Sequence, residues 1–203
     1  ESMKQVIEDN LQMGTPRLVL PFELMNTEDA VKALAQTCNE MGRLCKENGL
    51  EFYYHNHFQE FVPMGDGVAL DLFLKETDPE LVQFQMDAYW VKRAGFDPIQ
   101  MLEKLGSRCT MIHQKDLAAQ ADPVNLYEAI EPPVTADAFK KLREVGALKN
   151  GDFVAVGKGI LDVPGIVNKA NELGYAKYII VELDNLNSVS AVKESLDYLN
   201  RLV

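Results

Sequence analysis

Cysteine and histidine are both scarce in this chain, with three of each among 203 residues. The cysteines, Cys38, Cys45 and Cys109, form no CxxC pair and cannot all be joined by disulfides within one chain. Neither a disulfide framework nor a thiolate-bound structural zinc site is therefore expected. Each cysteine is better explained as a small buried apolar residue, which suits a reducing, cytoplasmic location.

Positive charge is also in deficit, since the formal net charge is −11. Surfaces that bind nucleic acid are normally basic, so nucleic acid is not expected as a partner. No apolar run approaches the roughly 20 residues of a membrane span, and no secretory signal opens the sequence. The sequence begins at Glu1 rather than Met, so a preceding segment could have carried such a signal. The expected partner is a small molecule or another protein, and a homo-oligomer stays open.

Strand-like apolar runs and helical patterns alternate along the whole chain. Strands are predicted at residues 17–22, 50–54, 81–86, 109–113, 153–156 and 177–181. Helices are predicted at residues 2–13, 26–49, 66–76, 97–106, 135–145, 162–174 and 188–203. The stretch 117–133 contains three prolines and has no regular period, so it is expected to be an irregular but ordered excursion.

This alternation is typical of βαβ units and a parallel sheet, here in one α/β domain over residues 1–203. Parallel barrels of this class close with eight strands, whereas six strands are counted in this sequence. The predicted fold is therefore a (β/α)8 TIM barrel represented by its strands 3 to 8, with the first two βα units missing. A complete, doubly wound open sheet of six strands is the alternative.

Side chains that can bind a metal or carry protons follow four of the predicted strands. In chain order they are His55 with His57 and Glu60 behind it, then Asp87, His113 and Glu182. The carboxyl ends of parallel strands lie at one face of a barrel, where active sites of this architecture are built. The recurrence at four strand ends predicts an active site, with the stretch 117–133 passing over its mouth.

Five blocks of sequence carry a resemblance to a known family. In order along the chain they read YHNHFQEF, MDAYW with GFDP, IHQKD, VGKGILD and IIVELD. Their order and spacing resemble the xylose isomerase-like TIM-barrel superfamily, in the branch of sugar phosphate isomerases and epimerases. The resemblance covers the chain from about Arg17 to its end. It is specific for the fold and weak for the substrate.

The resemblance implies a divalent metal, with manganese favoured, held at strand ends by Glu, Asp, His and Glu. Asp87, His113 and Glu182 match three of these positions. At the fourth position the epimerases of the superfamily carry a Glu where this chain has His55. Glu60, a few residues further on, is favoured over His55 as the fourth ligand.

Carboxylates and imidazoles together form an oxygen and nitrogen shell that suits Mn²⁺, Mg²⁺, Co²⁺ or Zn²⁺. A metal held there would polarise a sugar carbonyl and so ease removal of the neighbouring proton. The expected proton carriers are Glu182 and either Glu60, His55 or His57.

Substrate contacts are expected from His57, Trp90, Lys115 and Lys158. Trp90 would supply an apolar wall, and Lys115 a cation for a substrate oxygen or phosphate. Lys158 lies where many relatives carry an acidic residue, so the charge of that loop is reversed. Outside such a site, Lys115 and Asp116 would normally form a solvated turn.

The leading functional hypothesis is a metal-dependent sugar isomerase or epimerase that works through an enediolate. A metal-dependent lyase, dehydratase or hydrolase on keto-sugars or glycosides is the alternative, because the same enediolate can expel a leaving group. A non-catalytic subunit that keeps the barrel is a further alternative. The apurinic endonucleases of the superfamily bind several zinc ions through many more histidines than the three in this chain.

Overall fold

The computed structural model describes residues 3–184 and 189–202. The chain packs as two compact units, Glu1–Gln85, called the first unit, and Met86–Val203, called the second unit. The sequence-based assignment of one domain to residues 1–203 stays a prediction. No described helix combines the length and the apolar composition that crossing a membrane requires.

Short strands and helices alternate through the described residues. The strands are β1 Arg17–Leu20, β2 Glu51–His55, β3 Pro63–Met64, β4 Gly67–Val68, β5 Gln83–Asp87, β6 Cys109–Gln114, β7 Asp116–Leu117, β8 Phe153–Val154 and β9 Tyr178–Val181. The helices are α1 Met3–Met13, α2 Glu28–Glu47, α3 Ala69–Glu76, α4 Ala88–Arg93, α5 Pro98–Leu105, α6 Ala138–Glu144, α7 Val163–Leu173 and α8 Val189–Leu199. Single 3-10 turns lie at Gln59–Phe61, Gly106–Arg108, Leu126–Glu128 and Asn150–Asp152.

Parallel strands with helical crossovers form the first unit. β1 pairs with β2, which sets Leu18 opposite Phe52, and β2 pairs with β5, which sets Tyr54 opposite Phe84. The rings of Tyr54, Phe73 and Phe84 pack with centroids 4.8 to 6.1 Å apart. Because α2 and α3 connect these strands, all three strands run in the same direction and end at the same edge.

The three cysteines are unbridged and buried, as their spacing predicts. Cys38 and Cys45 lie on the buried face of α2, and Cys109 begins β6. Burial raises the pKa of Cys38 and Cys109 to about 12 and that of Cys45 to about 11. All three therefore act as apolar core residues at neutral pH.

In the second unit, β6 and β9 run parallel, with Ile112 opposite Ile179. The segment between them contains α6, α7 and the antiparallel ribbon of β7 and β8, in which Leu117 lies opposite Phe153. α7 begins after Asp162, which accepts a hydrogen bond from the Gly165 amide at 2.9 Å. The carboxyl ends of β6 and β9 thus lie side by side.

The α/β alternation and the parallel pairing predicted from the sequence are confirmed. α1, α2, α5, α7 and α8 lie where helices are predicted, and β1, β2, β5, β6 and β9 where strands are predicted. The stretch 117–133 is irregular apart from Leu117 in β7 and the turn Leu126–Glu128. Ser2, Ser188 and Val203, at the ends of the predicted first and last helices, lie outside the described residues.

Several element boundaries differ from the sequence predictions. The helix predicted over 66–76 begins at Ala69, because residues 63–68 form the ribbon of β3 and β4. The helix predicted over 135–145 begins at Ala138, with Asp137 rather than Thr135 at its N-cap. The strand predicted over 153–156 is shorter and pairs antiparallel with β7 rather than joining the parallel strands. Helix α4 is not predicted at all.

A buried arginine anchors the end of α4. Arg93 is fully buried, and its Nη1 lies 3.4 Å from Asp152 Oδ2. Its Nη2 donates to the Ala147 carbonyl, and its guanidinium carbon lies 5.8 Å from the centroid of the Tyr89 ring. These contacts hold α4 against the segment that precedes β8, so the position of α4 depends on a charge pair shielded from water.

We expect Arg93→Met to lower the free energy of unfolding by about 3 kcal/mol, because the substitution leaves the Asp152 carboxylate buried without its cation. Urea denaturation measures this loss. The double variant Arg93→Met with Asp152→Leu is the control, and it should be more stable than the single variant because it strands no charge. Equal stability of the two variants would contradict the electrostatic explanation.

Candidate active site

Three carboxylates of the second unit surround one lysine ammonium. Lys115 Nζ lies 3.2 Å from Asp87 Oδ2, 2.8 Å from Glu182 Oε2 and 2.9 Å from Asp184 Oδ2. Asp87 is the last residue of β5, Lys115 follows β6, and Glu182 and Asp184 follow β9. The Lys115 side chain is 3% exposed and that of Asp87 is fully buried, so little water screens the charges of this pair.

The His113 imidazole lies against two of these carboxylates. Its Nδ1 is 3.1 Å from Glu182 Oε2 and 3.9 Å from Asp87 Oδ2. Asp87 Oδ1 accepts a hydrogen bond from the Trp90 amide at 3.0 Å, which fixes the side chain at the start of α4. His113, Asp87 and Glu182 therefore bring two carboxylates and one imidazole together, as the sequence predicts for these three residues.

Burial and charge act against each other in this cluster. Burial raises the pKa of Asp87, although Lys115 and His113 oppose that rise. Burial alone would lower the pKa of Lys115, but Asp87, Glu182 and Asp184 hold it above the usual lysine value. Burial acts to raise the pKa of Glu182, whereas Lys115 and His113 act to lower it. The pKa of Glu182 therefore lies below the usual glutamate value. The lysine therefore stays charged at neutral pH.

An aromatic side chain supports the lysine. The Trp90 ring centroid is 5.5 Å from Lys115 Nζ, within the range of a cation–π contact. Trp90 is 3% exposed and packs edge-to-face on Tyr89 at 4.9 Å and on Phe139 at 5.5 Å. The ring is therefore part of the packed interior that holds Lys115 in place.

Asp116 organises the loop that carries Lys158. Its carboxylate accepts hydrogen bonds from the amides of Gly157 at 2.8 Å, Gly159 at 3.0 Å and Leu161 at 3.1 Å. A side chain at Gly159 would collide with Asp116 and with the Leu117 carbonyl, which explains the glycine. Lys158 itself is exposed at the tip of this loop. Asp116 is 1% exposed, so the alternative of a solvated turn does not apply to this residue.

In the first unit, hydrogen bonds engage both oxygens of the Glu60 carboxylate. Oε1 accepts from the Tyr54 hydroxyl at 2.7 Å and from Gln59 Nε2 at 3.2 Å, and Oε2 accepts from the His57 amide at 2.9 Å. Glu60 is fully buried. These contacts close the turn after β2 and give Glu60 a structural role there.

The two histidines of the first unit lie close together. The rings of His55, the last residue of β2, and His57 are 4.9 Å apart at an interplanar angle of 78°. The His57 ring also lies edge-to-face against Phe22 at 5.8 Å. His55 is 5% exposed, so its imidazole lies in the interior at the end of its strand.

The roles of two residues in and around the cluster leave no diagnostic signal in the sequence. Asp184 follows Glu182 by two positions in the block IIVELD, and its partner Lys115 lies 69 residues away. Asp116 is separated from Gly157 by 41 residues. The sequence shows only an acidic residue two or three positions behind a residue that ends or follows a strand, a pattern too common in turns to be diagnostic.

A comparison with protein families identifies the fold. Residues 1–202 match the model of a family described as xylose isomerase-like TIM barrel. The chain belongs to this family. The TIM-barrel fold class and the resemblance stated from the sequence blocks are thereby confirmed.

Two curated proteins to which this chain is similar are inosose dehydratases. An inosose dehydratase of Clostridium tetani is 31% identical over 162 residues, which cover 78% of this chain and 48% of that protein. An inosose dehydratase of Clostridium beijerinckii is 28% identical over 177 residues, which cover 85% of this chain and 53% of that protein. The chain thus spans about half the length of the curated relatives it matches.

Solved structures agree on the fold. A sugar phosphate isomerase/epimerase from Parabacteroides distasonis has a TM-score of 0.71 at 25% identity, covering 98% of this chain and 64% of that chain. The protein named IOLI, solved with a binding zinc atom, has a TM-score of 0.66 at 15% identity, covering 99% of this chain and 67% of that chain.

We expect Asp116→Asn to speed hydrogen exchange at the amides of Gly157, Gly159 and Leu161 by about tenfold or more, because an amide oxygen replaces a carboxylate as their shared acceptor. Exchange measured by NMR or mass spectrometry resolves this loop. Asp162→Asn is the matched control, since Asp162 accepts from the Gly165 amide instead. Unchanged protection of the loop in Asp116→Asn would contradict the assigned role.

Proposed function

We propose that this protein is a divalent-metal-dependent dehydratase that removes water from a cyclitol ketone of the inosose class. The observation that carries the proposal is the cluster of Asp87, His113 and Glu182 around Lys115, in a chain that is 31% identical to an inosose dehydratase over 162 residues. The substrate is a small uncharged polyol with a ketone.

The donor groups fit a divalent metal. Asp87, His113 and Glu182 would hold it through carboxylate oxygen and imidazole nitrogen, which Mn²⁺, Mg²⁺, Co²⁺ and Zn²⁺ all accept. Three carboxylates face a single lysine in this cluster, so negative charge is in excess and a further cation is favourable. Manganese remains the metal favoured by the family resemblance.

A dehydration needs a base that removes a proton from carbon and an acid that protonates the departing hydroxyl, and this chain has a residue for each role. A bound divalent cation would withdraw electrons from the ketone oxygen and so acidify the C–H beside it. Glu182 takes that proton, and the electron pair of the broken C–H bond forms the new double bond as the neighbouring C–O bond breaks. Lys115 gives a proton to the departing hydroxyl, which leaves as water.

The remaining residues predicted from the sequence keep supporting roles in this proposal. The Trp90 ring holds the Lys115 ammonium rather than offering an open wall to the substrate. Lys158 and His57 stay proposed substrate contacts. His55 and Glu60 stay the candidates for a fourth ligand and a second proton carrier.

The isomerase or epimerase hypothesis is the second candidate. It draws support from the sugar phosphate isomerase/epimerase of Parabacteroides distasonis, at 25% identity and a TM-score of 0.71. The first chemical step is the same in both reactions, but an isomerase or epimerase returns the proton to carbon instead of releasing water. The charged Lys115 beside Glu182 favours the dehydratase, because loss of hydroxide requires a proton donor.

We expect the protein loaded with Mn²⁺ to bind about one equivalent of metal and to convert an inosose into a product lighter by one water. Elemental analysis and mass spectrometry of the reaction mixture measure the two quantities. His113→Ala and Glu182→Gln should lose the metal and the activity together, while Asp197→Asn on α8, whose carboxylate pairs with Lys193, should keep both.

The outcomes separate the candidate functions. Epimerised or isomerised polyol without loss of water would support the second candidate instead. Metal content that is equal in wild type and both site variants would overturn the metal site and favour a non-catalytic barrel subunit.

Glu60 is tested as a metal ligand by a separate variant. We expect Glu60→Gln to leave the affinity for Mn²⁺ within about threefold of wild type, because both oxygens of the Glu60 carboxylate already accept hydrogen bonds inside the first unit. Isothermal titration calorimetry measures this affinity. A loss as large as that of Glu182→Gln would restore Glu60 as the ligand favoured by the sequence.

A further inference from the structure

Lys115 contacts three carboxylates, of which two are proposed to bind the metal and one is not. Asp87 and Glu182, at 3.2 and 2.8 Å from Nζ, are proposed metal ligands. Asp184, at 2.9 Å, is not one of the proposed ligands. A divalent cation and the ammonium therefore compete for two of these three carboxylates, and only the third is left to the lysine.

We propose that Asp184 is the positioning residue that holds the Lys115 ammonium beside the metal and directs it at the departing hydroxyl. This inference rests on the proposed function. When Asp87 and Glu182 bind the metal, Asp184 keeps the ammonium as its remaining partner, so both ligands can serve the metal while the proton donor stays in reach of the substrate.

The geometry around the lysine supports this division. The Trp90 ring, 5.5 Å from Nζ, restrains the ammonium from the side of α4, and Asp184 restrains it from the end of β9. Both restraints lie in the second unit. With them in place the ammonium keeps a fixed position when Asp87 and Glu182 change partner.

Metal affinity tests the inference without reference to turnover. Wild type, Asp184→Asn, Lys115→Met and the double variant are titrated with Mn²⁺ in a calorimeter. Asp184→Asn should weaken binding about tenfold when Lys115 is present, because the released ammonium occupies Asp87 and Glu182. In the Lys115→Met background the same substitution should cost about twofold or less, because no competing ammonium remains.

Equal losses in the two backgrounds would overturn the inference, since Asp184 would then act on the metal directly. Loss of binding in Asp184→Asn as complete as in Glu182→Gln would assign Asp184 as a ligand instead. Failure of wild type to bind Mn²⁺ would overturn the inference together with the metal site. Asp197→Asn controls for removal of an exposed carboxylate from the same unit.

Turnover of an inosose at saturating Mn²⁺ supplies the second readout. Asp184→Asn should lower kcat by about tenfold or more with little change in KM, and Asp184→Glu should retain most of the wild-type kcat. In the Lys115→Met background, Asp184→Asn should cause no further loss of kcat. If the kcat of the double variant fell by the product of the two single-variant losses, the two residues would act independently and the inference would be overturned. A wild type that binds Mn²⁺ but leaves inosose unchanged would refute the proposed substrate, while the calorimetric comparison still decides the role of Asp184.

Discussion

The arrangement of the second unit depends on the placement of one buried ammonium group among three carboxylates, of which that of Asp87 is fully buried. A carboxylate as deeply buried as Asp87 costs several kcal/mol unless a cation lies beside it. Lys115 provides that cation, and its own burial is tolerated only because Asp87, Glu182 and Asp184 face it. Neither the buried positive charge nor the buried negative charge is stable without the other, so the lysine and the carboxylates form one structural group.

The surrounding helices and strands fix the positions of the side chains in that group. Asp87 ends β5 and at the same time caps α4, so a single side chain fixes both the strand end and the helix start. α4 carries Trp90 to the lysine, and Arg93 at its last turn anchors the helix through Asp152. If the proposed function is right, the proposed ligands and proton donor belong to interlocked elements and need little rearrangement when a substrate binds, which is the condition for efficient positioning.

The sequence allowed the parallel α/β fold and three residues of the cluster to be predicted, because both leave local signals. Asp87, His113 and Glu182 each end or follow an apolar run, and the strand ends of such a fold lie together. Asp116 and Asp184 left no such signal, since an aspartate behind a strand is usually a turn residue and their partners lie 41 and 69 residues away. α4 was missed because its six residues are too few to show a helical period. The antiparallel pairing of β8 was also missed, because its partner β7 has two residues and is too short to show an alternating apolar pattern.

The choice between dehydration and epimerisation depends on where a proton donor stands relative to the base. Both reactions begin with loss of a proton beside a polarised ketone, and a carboxylate such as Glu182 suits that step in either case. An epimerase then needs a second donor on the opposite face of the same carbon. A dehydratase needs a donor at the neighbouring oxygen, on a group that remains charged while the base is ionised. In the proposed dehydration Lys115 would meet that condition, because Lys115 lowers the pKa of Glu182 while Asp87, Glu182 and Asp184 raise the pKa of Lys115. In the proposed dehydration, the charge balance that stabilises the cluster would also supply the acid and the base that loss of water requires.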